Sequence, residues 1–84
     1  MPSSNQMPRC LATFHTHTGA LKFEKALKHL GISSLMKPVP RKLSSSCGVC
    51  VEYDAHPLSE LPLEDVHQIF LINGHAYIQE FENE

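Results

Sequence analysis

The sequence predicts an α+β fold, a ferredoxin-like βαββαβ sandwich whose antiparallel sheet carries two helices on one face. Three observations lead there. Residues 20–30 and 63–73 place apolar side chains at helical spacing. Four other apolar runs, at residues 9–14, 34–39, 47–53 and 76–81, have the length and bounding residues of strands. The order of the six segments, strand–helix–strand–strand–helix–strand, has this sandwich as its usual solution.

Residues 1–8 are polar and hold Pro and Ser, with little to bury, and read as a disordered tail ahead of a single domain at 9–84. Arg9 to Phe14 is short and largely apolar, a central strand. His15-Thr16-His17-Thr18-Gly19 is a polar break in which Thr16 or Thr18 can cap the next helix. In that helix Ala20, Phe23, Ala26, Leu27 and Leu30 share a face, basic residues fill the last turn where the dipole favours them, and Gly31 is placed to stop it. Ser34 to Val39 is a strand, placed at an edge because Pro38 cannot donate to a ladder. In the third strand, Cys47 to Tyr53, Val49, Val51 and Tyr53 alternate with Cys50 and Glu52. Asp54 to Pro62 reads as a loop. In a second helix from Leu63 to Asn73, Leu63, Val66, Ile69 and Phe70 face inward and Gly74 follows the end. Ala76 to Phe81 is the last strand, and Glu82 to Glu84 an acidic tail.

Composition narrows the function. An 84-residue chain of net charge −2 offers no basic surface for nucleic acid and no polybasic membrane patch. No apolar run approaches the roughly 20 residues that span a bilayer, and no long apolar core follows a basic N-terminus. Three cysteines, an odd number, argue against a disulfide framework and for a reducing, cytoplasmic setting. No carboxylate pair, Ser-His-Asp order or phosphate-cradling Gly-rich loop is present, so no complete enzyme active site and no cofactor are expected.

The chemistry concentrates between residues 38 and 50. Pro38 and Pro40 stiffen the entry, and Ser44-Ser45-Ser46 forms no plausible core element. Cys47 and Gly48 then stand where the apolar run begins, so the thiol is presented at a turn with small neighbours. The backbone N–H groups of Ser45, Ser46 and Gly48 can line a concave anion site, and Arg41 adds a charge that does not titrate away. Cys50, within the strand, is either an inert core thiol or a secondary thiol completing Cys-x-x-Cys.

Pro40-Arg41 followed by Ser45-Ser46-Cys47-Gly48 entering an apolar strand resembles the selenium/sulfur carrier-like family, also classed as a domain of unknown function. The likeness runs from Arg9 to Phe81, and its specific part is Pro40 through Gly48. It implies that Cys47 accepts sulfur or selenium from a donor such as a cysteine desulfurase-like protein and passes it to an acceptor enzyme. The family pattern needs only the first cysteine, and Cys50 departs from it.

The predicted topology brings four distant segments to one end of the sheet: His15 to Thr18, the start of the first helix, Ser44 to Gly48, and Asn73-Gly74-His75. A thiolate there lies near the helix N-terminus, with Thr16, Thr18 and Gly19 around it, and such a setting lowers a thiol pKa from about 8.5 to as little as roughly 3.5–7.5. An alternative use of the same residues is a soft-metal site of Cys47 and Cys50 with His15, His17 or His75, since zinc and copper(I) take thiolate and imidazole. A third is an interaction domain in which no thiol matters; the open sheet face is able to support a homodimer. His29, His56 and His67 read as surface positions.

Overall fold

A computed structural model describes residues 9–43, 48–54 and 61–83 of the chain. The predicted tail at 1–8, Ser44 to Cys47, most of the loop expected at 54–62, and Glu84 lie outside the described residues. The elements are β1 (Arg9–Phe14), α1 (His17–His29), β2 (Ser34–Pro38), β3 (Val49–Asp54), β4 (Val66–Asn73) and β5 (Ala76–Glu82). The five strands form one sheet in the order β2-β3-β1-β4-β5, and every neighbouring pair is antiparallel.

The first half follows the sequence. β1 and β2 run the same way with β3 between them, as the sandwich requires. α1 starts three residues before its apolar pattern because Thr16 caps it, the hydroxyl accepting the Gly19 N–H at 3.0 Å. Gly19 is needed there for space. A Cβ on it would meet the Asp65 Cβ at 2.7 Å, so the chain entering β4 packs directly on the first turn. At the other end the Leu30 N–H bonds back to Ala26 and Leu27, and Gly31 takes φ +74°, the left-handed geometry that closes a helix.

The second half corrects the prediction. Residues 66–73 form a strand, and α1 is the one helix among the described residues. The sheet therefore has a fifth strand in place of the second helix of the expected sandwich. The spacing of Val66, Ile69 and Phe70 fits a helix, but Ile69-Phe70-Leu71-Ile72 is a continuous apolar run, which also suits a strand covered on both faces. That is where β4 lies, between β1 and β5. Ile69 and Leu71 face the core under α1, whereas Phe70 and Ile72 face the other side. Gly74, expected just past a helix end, instead opens the two-residue hairpin turn Gly74-His75 that follows the Asn73–Ala76 pair, with φ +63°.

Two clusters hold the sheet. Under α1, Ala20, Phe23 and Leu27 meet Cys10, Ala12 and Phe14 of β1, Val51 and Tyr53 of β3, and Val66 and Ile69 of β4. On the opposite face Leu11, Cys50 and Phe70 are covered by Val39 and Leu43, which belong to the β2–β3 connection, and by Ile72 and Tyr77. Val39 and Leu43, from the start of the connection, thus cover the face that α1 leaves open. At the start of β1, Arg9 bridges Glu52 at 3.0 Å and Asp54 at 2.8 Å, and Lys37 pairs with Glu52 from β2. Burial pushes the Glu52 carboxyl up, but Lys37 and Arg9 together outweigh it and hold it below the usual carboxylate range.

Candidate functional site

β1 is antiparallel to β3 in a register that sets Thr13 opposite Cys50. The end of β1, the start of α1 and the start of β3 therefore meet at one end of the sheet, as expected. β4 begins at this end too, Val66 lying opposite Phe14. Here the β2–β3 loop closes: the Val39 N–H donates to the Gly48 carbonyl at 3.2 Å, one step beyond the Pro38–Val49 pair. Gly48 is exposed with φ +77°, and open space surrounds the position of a Cβ, so its backbone conformation selects glycine. The loop leaves this neck through a turn in which the Leu43 N–H bonds the Pro40 carbonyl at 3.0 Å. That turn holds Arg41 and Lys42 exposed while Leu43 anchors on the second face.

The candidate residues fare differently. Cys47, Ser45 and Ser46 lie outside the described residues, between Leu43 and Gly48. Cys10 and Cys50 are both fully buried, on opposite faces of the sheet. The Cys50 thiol donates to the Pro38 carbonyl at 3.6 Å. His15, Thr16, His17 and Thr18 are exposed at the neck end. The Thr16 hydroxyl and the Gly19 N–H are committed to each other in the cap.

His75 does not join them. With residues 66–73 a strand, the β4–β5 turn falls at the opposite end of the sheet, where β1 begins. The cysteine loop reaches that turn across the second face instead, Lys42 Nζ donating to the His75 carbonyl at 2.5 Å. Of the alternative metal ligands, Cys50 is sealed in the core and His75 sits away from His15 and His17. Among the described residues no group of three or more His, Cys, Asp or Glu is placed to hold a metal.

His67, expected at an ordinary surface position, lies at the neck. The β1–β4 register steps from Thr13–Gln68 to Phe14–Val66, so His67 is the extra residue of a β-bulge. Thr13, buried, pins the bulge: its hydroxyl accepts the Gln68 N–H at 3.2 Å and donates to the Gln68 carbonyl at 3.5 Å. The His67 ring lies 4.6 Å from that of His15, tilted by 36°. Its Nδ1 is buried without a hydrogen-bond partner among the described residues, an arrangement that costs about 1–3 kcal/mol. A helical reading of 63–73 hides the bulge; nothing else in the sequence marks His67.

Residues 9–64 match the family described as "Putative Se/S carrier protein-like". The chain belongs to this family. The match takes in β1, α1, β2, the Cys47 loop and β3, and ends just before β4. A relative from Escherichia coli (strain K12), the uncharacterized protein YtiA, is 31% identical over 55 residues, covering 66% of this chain and 65% of that protein. The chain thus spans just under two thirds of this relative's length. No solved structure matches. No helix among the described residues is long and apolar enough to cross a membrane.

Proposed function

We propose that residues 9–84 act as one sulfur or selenium carrier domain, with Cys47 as the acceptor. The observation that carries the reading is the fate of the three cysteines: two are sealed in the core, one per face, and the third lies on a loop that a backbone bond closes at its neck. Membership of a carrier-like family supports it. The Cys47 thiolate attacks the outer sulfur of a donor persulfide. A new S–S bond forms, the donor's S–S bond breaks, and the electron pair leaves with the donor thiolate. An acceptor thiolate then attacks the outer sulfur on Cys47 and releases the Cys47 thiolate, so no external oxidant or reductant is needed. Selenium travels as a selenenyl sulfide by the same exchange. Arg41, the N–H groups of Ser45, Ser46 and Gly48, and the positive end of α1 stabilise the anion. Thr16, Thr18 and Gly19 fix that helix end. The donor is a cysteine desulfurase-like protein, the acceptor an enzyme, and the setting the reducing cytoplasm.

Intact mass of the protein purified from cells without reductant tests this. The expected spectrum has a species heavier by one sulfur or selenium atom, sensitive to dithiothreitol, absent in Cys47→Ser and reduced but present in Cys50→Ser. Equal loss in both variants would replace the one-cysteine carrier with a redox pair.

A further inference from the structure

We propose that two copies of this chain associate through α1 and β5, independently of the carrier chemistry. A groove beside α1 takes Ile78 and the acidic end of β5 from the second copy. The groove, about 480 Å³, has an apolar floor of Ala26, Leu30 and Pro62. Lys22, Lys25 and His29 form its rim, and their i, i+3, i+7 spacing puts them along one side of the helix. Among the described residues Lys25 and His29 meet no carboxylate, and Lys22 reaches Asp65 only at 4.0 Å, with both side chains well exposed. Such an exposed pair contributes little, so the rim keeps its positive charge. Leu30 is 54% exposed beside it.

β5 has the complementary chemistry. It holds no lysine or arginine, and Glu80 and Glu82 stand exposed after Ile78, which is itself 43% exposed. β5 is the last strand of the sheet and lacks the lysine and proline, Lys37 and Pro38, that blunt the other edge at β2. Ile78 pairs with Leu71, which faces the core under α1, so Ile78 and the groove lie on the same side of the sheet. A two-fold axis then seats each chain's Ile78 in the other's groove, an isologous arrangement that forms every contact twice. Three of the chain's seven lysines and arginines lie on α1, while the net charge is only −2, so local attraction meets little overall repulsion.

Sedimentation equilibrium of the full chain with Cys47→Ser, which removes that thiol from intermolecular disulfides, measures the association. A monomer–dimer equilibrium is expected with a Kd below about 1 mM, weaker as added salt shortens the reach of charge. Lys25→Glu and Glu80→Lys should each weaken it roughly tenfold, because each altered pair occurs twice; the double variant should recover most of the loss. Leu30→Ala should weaken it too. Leu35→Ala, at a leucine equally exposed (53%) but on the other side of the sheet, should leave it unchanged. In a mixture of ¹³C-labelled and unlabelled chains, NOEs should join Leu30 of one copy to Ile78 of the other. A chain that stays monomeric to about 1 mM, a dimer without those NOEs, or one that Leu30→Ala and Leu35→Ala weaken alike would overturn the proposal. So would a monomer whose α1 binds vesicles of anionic lipid, which would give the groove to a membrane surface.

Discussion

The two faces of the sheet are covered by different material. Beneath α1 the cover is aromatic: Phe23 packs 5.2 Å from Phe14 and 5.4 Å from Tyr53, ring centre to ring centre, and all three are fully or almost fully buried. On the other face the cover is a loop. Val39 and Leu43, both half-buried, sit over Leu11, Cys50 and Phe70. Each face has its own buried thiol, Cys10 under the helix and Cys50 under the loop. The helix face is covered by a helix, whereas the loop face is covered by Val39 and Leu43, just ahead of the residues that include Cys47. Packing strength and the proposed presentation of Cys47 are therefore separable, and the two core cysteines report on them individually.

Phe23→Ala should separate the faces most forcefully. It removes the ring shared by both aromatic contacts and should cost about 3–5 kcal/mol in urea unfolding. A cost near that of a surface substitution would mean that α1 is not the main cover. Leu43→Ala should cost less, roughly 1 kcal/mol, because the side chain is only half-buried. Its signature is chemical. Native-state alkylation of Cys50 should accelerate while that of Cys10 stays unchanged; equal acceleration of both would show that the loop is not a separate cover.

A smaller effect is expected from acid. Lys37 and Arg9 hold the Glu52 carboxyl below its usual value. Its contribution is therefore complete above the unfolded-state value near 4.5 and lost as pH falls through the lower folded value. Glu52→Gln should flatten the acid limb of a pH–stability curve and leave its neutral plateau lower. A limb of unchanged steepness would take the carboxylate out of the account.

What the sequence disclosed divides along the same line as the chain. In residues 9–54 each rule had one answer: helical spacing ended by Gly31, alternation in Val49-Val51-Tyr53, and a proline at the edge of the sheet. In residues 61–83 two answers competed, since Ile69 to Ile72 fits a buried helix and a two-sided central strand alike. The hairpin turn is Gly74-His75, and a glycine at its first position suits a hairpin as well as a helix stop. The difference reaches the site, because a strand in place of a helix puts His75 at the far end and His67 at the neck. The bulge that exposes His67 to His15 depends on pairing register, which no local pattern encodes.

The central claim is that Cys47 is an activated thiol while Cys10 and Cys50 are structural. The most direct measurement is the pH profile of alkylation of all three cysteines in the folded protein, read by mass spectrometry. Cys47 should react fastest at neutral pH and titrate below the ordinary thiol value of about 8.5. Arg41→Ala should slow it there, with less effect in alkali where the thiolate forms regardless, and Arg41→Lys should restore part of the rate. A Cys47 that titrates at or above that ordinary value, or reacts no faster than Cys50, would contradict the account.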